Sequence, residues 1–265
     1  MQEGGEVLTH SEGAGGGAAP DAARGATWRG APERPRADGA EVHVWRVTPL
    51  TRPADEVAAL RALLSEDEAA RADRFRFERH RGHFIVARAA LRRILGRYLG
   101  SPGRLLRFGY NEYGKPSLAH PTLRFNLSHA GEVALLAVTS GREVGVDVEA
   151  IRDDVEGEKL AEHFFSPGEV ETLMSLPEAA RARAFFDCWT RKEAFIKALG
   201  SGLSHPLDAF DVSLAPGEPA ALLRTRADSR EAARWTLREL EPGEGYAAAV
   251  AVEGGGWELR CWEFG

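Results

Sequence analysis

Apolar and polar positions alternate from Glu41, with Val42 and Val44 two apart and Arg46 beyond them, the period of a half-buried strand. The period then lengthens, and helices are predicted over 54–64, 66–76 and 80–99. In the last of these Phe84, Ala87, Leu91, Ile94 and Tyr98 form one apolar stripe. Short strands are expected near 105–110, 122–127, 132–139 and 143–150, with Ser140-Gly141-Arg142 joining the last two as a hairpin. From about 156 the chain turns helical again. Ser166-Pro167-Gly168-Glu169 carries the marks of a helix start, a Ser cap, Pro at the first position and Glu three after the cap, and is read as structural. A longer helix over about 178–199 stops at Gly200, and strands follow near 209–214, 219–225, 233–239, 245–252 and 256–263. Residues 1–40 are rich in Gly, Ala, Pro and Arg without any hydrophobic period, which predicts a disordered tail. The segments 41–142 and 143–265 each set helices beside short antiparallel strands, an α+β pattern in two halves.

Composition narrows the function. With 43% hydrophobic and 28% charged residues this is an ordinary globular chain, and no apolar run is long enough to span a membrane. The N-terminus lacks a signal-peptide pattern, and Cys188 and Cys261 form no C-x-x-C pair, which leaves a cytoplasmic protein without a disulfide framework or zinc site as the expectation. A net charge of −6 argues against general nucleic-acid binding, yet eleven arginines against two acids lie between Arg71 and Arg107. Such a patch suits a phosphorylated small molecule or an acidic partner. Arg81, Arg88 and Arg92 share one helical face and are the candidates for meeting it.

The chemistry concentrates in two segments, Gly145-Val146-Asp147-Val148-Glu149 and Trp189-Thr190-Arg191-Lys192-Glu193-Ala194-Phe195-Ile196-Lys197. In a strand Asp147 and Glu149 project to one face while Val146 and Val148 face the other, and Gly145 lets a ligand or a second backbone approach closely. On the helix Glu193 falls within the stripe of Phe186, Trp189 and Ile196, where a carboxylate needs a partner, and Lys197 lies one turn on. Three carboxylates and two lysines suit one divalent metal and a pyrophosphate.

Here the sequence resembles the 4′-phosphopantetheinyl transferases of the surfactin-synthetase-activating (Sfp) type, whose fingerprints G-x-D-x-E and W-x-x-K-E-x-x-x-K are complete. Gly114-Lys115-Pro116, Phe125-Asn126-Leu127-Ser128-His129 and Phe164-Phe165-Ser166-Pro167 with Glu169 match in the same order, so the resemblance covers roughly 41–215. It implies a pseudo-dimer of two similar α+β subdomains acting as a monomer, with coenzyme A and Mg2+ (or Mn2+) between them. It also implies transfer of the phosphopantetheine arm to a serine of an acyl or peptidyl carrier protein, with release of 3′,5′-adenosine bisphosphate. Asp147, Glu149 and Glu193 would hold the metal, and Glu193 would also serve as base, directly or through a metal-bound water. Lys197, Ser128 and His129 would meet phosphate oxygens, Lys115 the adenine and 3′-phosphate, and Lys192 either phosphate or structure. Many relatives carry arginine where this chain has His83, so either Arg79 or Arg81 substitutes in gripping the 3′-phosphate or its recognition is weaker. Carrier docking is expected near 170–176, with Leu173 and Met174, and around 195–203.

Two other readings use the same residues. A metal-dependent phosphohydrolase would need no docking surface, and a non-catalytic carrier- or coenzyme-binding protein would not need the intact acids. No G-x-S-x-G elbow surrounds Ser128 and no P-loop is present.

Overall fold

The computed structural model describes residues 27–202 and 205–265. Two helix-on-sheet halves meet back to back. In the first, β2 (Glu41–Val47), α1 (Ala54–Arg61), α2 (Glu66–Asp73), α3 (Glu78–Leu99), β5 (Leu123–Ala130) and β6 (Val133–Ser140) follow one another. A small β3 (Phe108–Tyr110) and β4 (Pro116–Leu118) ribbon lies between α3 and β5. In the second, β7 (Val144–Ala150), α4 (Gly157–Phe164), α5 (Pro167–Ser175) and α6 (Glu178–Leu199) precede five strands. These are β8 (Phe210–Val212), β9 (Leu222–Thr225), β10 (Trp235–Leu240), β11 (Tyr246–Glu253) and β12 (Glu258–Phe264).

Alternation along the strands builds three apolar layers. Trp45, Val47, Ala134, Leu136 and Val138 point outward to the α1–α3 side. Ala247, Ala249 and Ala251 point outward to α6, where alanine lets a helix lie close. The remaining positions, Val42, Val44, Leu135, Ala137, Val146, Val148, Val250 and Val252, fill the layer between the sheets. The two long helices, α3 and α6, have 22 residues each, and each ends at a glycine with positive φ, Gly100 (60°) and Gly200 (72°), the left-handed terminus that glycine adopts without strain.

Three expectations need correction. The five-stranded sheet runs β1-β12-β2-β6-β5, where β1 is Arg29–Gly30, so β12 from the second half crosses the expected 142/143 boundary to pair in parallel with β2. Residues 27–40 are not a free tail: β1 pairs with β12, and the Trp28 indole N–H donates to the Glu241 carbonyl at 2.6 Å. Residues 1–26 lie outside the described residues. The strands β6 and β7 form no hairpin; β6 pairs with β2 and β5, while β7 is the edge of a separate β10-β11-β7 sheet. Both strands are buried in the inter-sheet layer, so the tight turn at Gly141 carries the chain from one sheet to the other. Finally, Leu173 is fully buried in the α6 core and offers no docking surface; Met174 beside it is half-buried.

Candidate active site

Two sheet edges meet at the site. β5 closes one sheet and β7 the other, and side chains rather than a backbone ladder connect them. The Val146 N–H donates to the Asn126 Oδ1 at 2.9 Å. Two residues along β5, on the same face, the Ser128 hydroxyl donates to Asp147 Oδ1 at 2.8 Å. From α6 the Lys197 ammonium donates to Ser128 Oγ at 2.9 Å and reaches Asp147 Oδ1 at 2.6 Å. Gly145 makes this possible: a Cβ there would stand 2.1 Å from the Ala194 carbonyl oxygen and 2.3 Å from the Ala198 nitrogen, so α6 rests directly on the β7 backbone.

The carboxylates at the site are sparsely partnered. Asp147 Oδ2 is buried without a hydrogen-bond partner, a costly state for an ionised oxygen. Burial, followed by the Asp147 charge, raises Glu149 to about 7, and the same two causes raise Glu193. Neither Glu149 nor Glu193 has a hydrogen bond or ion pair from its side chain among the described residues. As they stand, no three His, Cys, Asp or Glu side chains among the described residues converge into a chelating group, and Lys197 occupies one oxygen of Asp147. The donor set is nonetheless the one a hard cation takes: carboxylate oxygens, one of them orphaned.

Positive charge lies on the β5 side. His129 is solvent-exposed as a residue, yet the protein packed against its ring, then Lys197, His83, Arg71 and His80, hold it below the usual histidine range. Burial is the largest of these causes, and Lys197, His83, Arg71 and His80 thus lie within electrostatic reach of His129. The His83 Nε2 itself lies 3.0 Å from Thr51 Oγ1 and 3.4 Å from Glu132, which Arg79 also binds at 3.0 Å.

Other predicted residues sit elsewhere. Lys192 is fully buried and donates to the carbonyls of Leu207 and Phe210 at 2.8 and 2.7 Å, with Glu169 at 2.7 Å, so it cannot meet coenzyme phosphates and is structural. Glu169 also accepts from the backbone N–H of Ser166 and of Val212, so the expected capping box is present and doubles as a clamp between α5, α6 and β8. Arg88 and Arg92 converge on buried Glu68 at 2.6 and 2.5 Å rather than on a ligand. Arg81 turns to Glu78 and the Phe75 carbonyl. Lys115 spans the two halves, donating to Glu143, Val144 O and Ala198 O at 3.2, 3.3 and 2.8 Å, beside a cleft of about 390 Å³ lined by Asn111, Arg124 and Gly200. Sequence reasoning assigned no task to Asn126; its signal was a polar residue within a buried strand.

At the join of the two α+β halves, a strand with two carboxylates is thus crossed by a helix bearing a third carboxylate and a lysine. The sequence pattern of the 4′-phosphopantetheinyl transferase superfamily matches residues 143–251, and that of the 4′-phosphopantetheinyl transferase N-terminal region matches 51–141. The 4′-phosphopantetheinyl transferase HetI of a Nostoc species is 43% identical over 228 residues, covering 84% of this chain and 92% of that protein. The 4′-phosphopantetheinyl transferase Sfp of Bacillus subtilis is 28% identical over 72% of this chain and 83% of its own. A Homo sapiens relative, L-aminoadipate-semialdehyde dehydrogenase-phosphopantetheinyl transferase, is 30% identical over 77% and 71%. The chain belongs to the 4′-phosphopantetheinyl transferase family, and it is an enzyme of that transferase class. Among the described residues no helix is long and apolar enough to cross a membrane.

Proposed function

We propose that the protein moves the 4′-phosphopantetheine arm of coenzyme A to a serine hydroxyl of an acyl or peptidyl carrier protein. The observation that carries this is the Lys197–Asp147–Ser128 cluster with its orphaned Asp147 oxygen, accompanied by two carboxyls of raised pKa, Glu149 and Glu193. Asp147, Glu149 and Glu193 would hold Mg2+, which supplies charge neutralisation and orientation to a pyrophosphate. The Lys197 ammonium and the Ser128 and His129 side chains bind phosphate oxygens on the β5 side. The carrier serine oxygen forms a bond to the β-phosphorus, the bond to the bridging oxygen breaks, and 3′,5′-adenosine bisphosphate leaves. Glu193 would accept the serine proton, directly or through a water. Positioning and electrostatics carry most of the rate in such a displacement.

Intact-mass spectrometry of an apo carrier incubated with the protein, coenzyme A and Mg2+, with EDTA as control, tests this. A metal-dependent gain of one phosphopantetheine arm is expected. No gain across acyl, aryl and peptidyl carriers overturns the reading, and phosphate release without carrier modification substitutes a hydrolase. Asp147→Ala should abolish transfer with the circular dichroism spectrum unchanged; full activity at saturating Mg2+ would remove Asp147 from the metal set.

A further inference from the structure

We infer that Asn126 is a positioning residue for the transfer, holding Asp147 in register against Ser128 through the backbone of Val146; the inference rests on the site reading above. Asn126 is buried on the face of β5 whose cross-strand neighbours on β6, Ala137 and Leu135, are apolar members of the inter-sheet layer. A leucine would fill such a place as well, whereas a buried amide loses its hydration unless bonded. Its one side-chain hydrogen bond among the described residues goes to the site strand, at 2.9 Å, one residue before Asp147. The geometry explains why that bond matters. Since β5 and β7 share no backbone ladder, no backbone pairing between them fixes their offset. A slip of one residue moves a strand by about 3.4 Å. Ser128 reaches Asp147 over 2.8 Å and Lys197 reaches Ser128 over 2.9 Å, so such a slip breaks both contacts. The Asn126 amide pins the offset at a point adjacent to the cluster and also satisfies an edge-strand N–H that would otherwise be buried and unpaired.

The test compares Asn126→Ala, Asn126→Asp and, as a comparator away from the site, Thr139→Val, which removes the buried bond from Thr139 Oγ1 to the Arg142 carbonyl. Each is read by thermal melting, by exchange of the Val146 amide hydrogen, and by kcat and KM for coenzyme A and carrier. Misplacement on the order of 1 Å costs about 100-fold in rate. Asn126→Ala is therefore expected to lose about 100-fold in kcat with the carrier KM little changed, and to expose the Val146 amide. Asn126→Asp keeps an acceptor oxygen and should keep Val146 protected and recover most of the rate. Thr139→Val should melt lower yet retain kcat. A wild-type kcat in Asn126→Ala overturns the inference, as does equal rate loss in Asn126→Ala and Asn126→Asp with Val146 protected in both. If wild type itself transfers nothing, the site reading fails and this inference with it; wild-type transfer with an indifferent Asn126→Ala removes this inference alone.

Discussion

Replacing Gly145 with alanine puts a methyl where helix α6 already lies. The added carbon would stand 2.1 Å from the Ala194 carbonyl oxygen, 2.3 Å from the Ala198 nitrogen and 2.9 Å from the Lys197 carbonyl carbon. All three are backbone atoms, so no side-chain rotation relieves the clash. Ordinary contact begins near 3.4 Å, which requires α6 and β7 to separate by about 1.3 Å. Overpacking of this kind costs about 1–3 kcal/mol. For a protein of this size that lowers Tm by roughly 2–4 °C per kcal/mol. The greater loss is functional. α6 carries Glu193 and Lys197, β7 carries Asp147 and Glu149, and the Lys197–Asp147 contact is only 2.6 Å long. A displacement near 1 Å costs about 100-fold in rate. Single-turnover transfer to an apo carrier should therefore fall far more than the melting temperature does. Gly168→Ala, at an exposed position of α5 with nothing within 4 Å of the new carbon, is the control and should match wild type in both. Wild-type melting and wild-type transfer in Gly145→Ala would refute the argument that helix and strand are set by this contact.

Lys192→Ala should cost about 3–5 kcal/mol by stranding the Glu169 carboxylate in the core, while Lys192→Met with Glu169→Gln should recover much of it; chemical denaturation measures both. Leu173→Ala should lose about 2–5 kcal/mol through a core cavity and leave the carrier KM unchanged, the opposite of a docking residue. Burial pushes Glu68 up, but the Arg92 hydrogen bond and the Arg88 charge outweigh it, so its folded pKa lies below the ordinary 4.5. Its contribution to stability is present above that value and is lost as pH falls through the folded pKa. The stability gap between wild type and Glu68→Gln should accordingly be wide at neutral pH and close in acid, as followed by thermal melts across pH.

The local signals were legible where one face is buried and the other is not. The stripe of α3, the left-handed glycines at 100 and 200, and the Ser166 capping box all follow from near neighbours in the chain. Gly145 was legible as a place of close approach, and the approaching group proved to be the backbone of α6. Partners distant in sequence were not legible. Lys192 stands beside Glu193 in the motif but pairs with Glu169 on another helix, and Arg88 and Arg92 answer to Glu68. The absent β6–β7 hairpin has the same origin, since both strands are buried on both faces and nothing in their alternation says which neighbour each takes. Asn126 drew no role of its own, because a polar residue in a strand looks solvent-facing until the second sheet covers it.

The position of β12 bears on how the chain is made. It lies between β1 and β2, paired with residues some 217 positions earlier, as in the register of Arg46 with Glu263. A nascent chain emerging from the ribosome thus exposes the hydrogen-bonding edge of β2 until β12 arrives. The first half alone leaves one edge of its sheet without its native partner. Closure of so long a loop makes maturation late and dependent on the second half. A split of this enzyme at 142/143 would leave one fragment with an open sheet and the other with the strand that closes it.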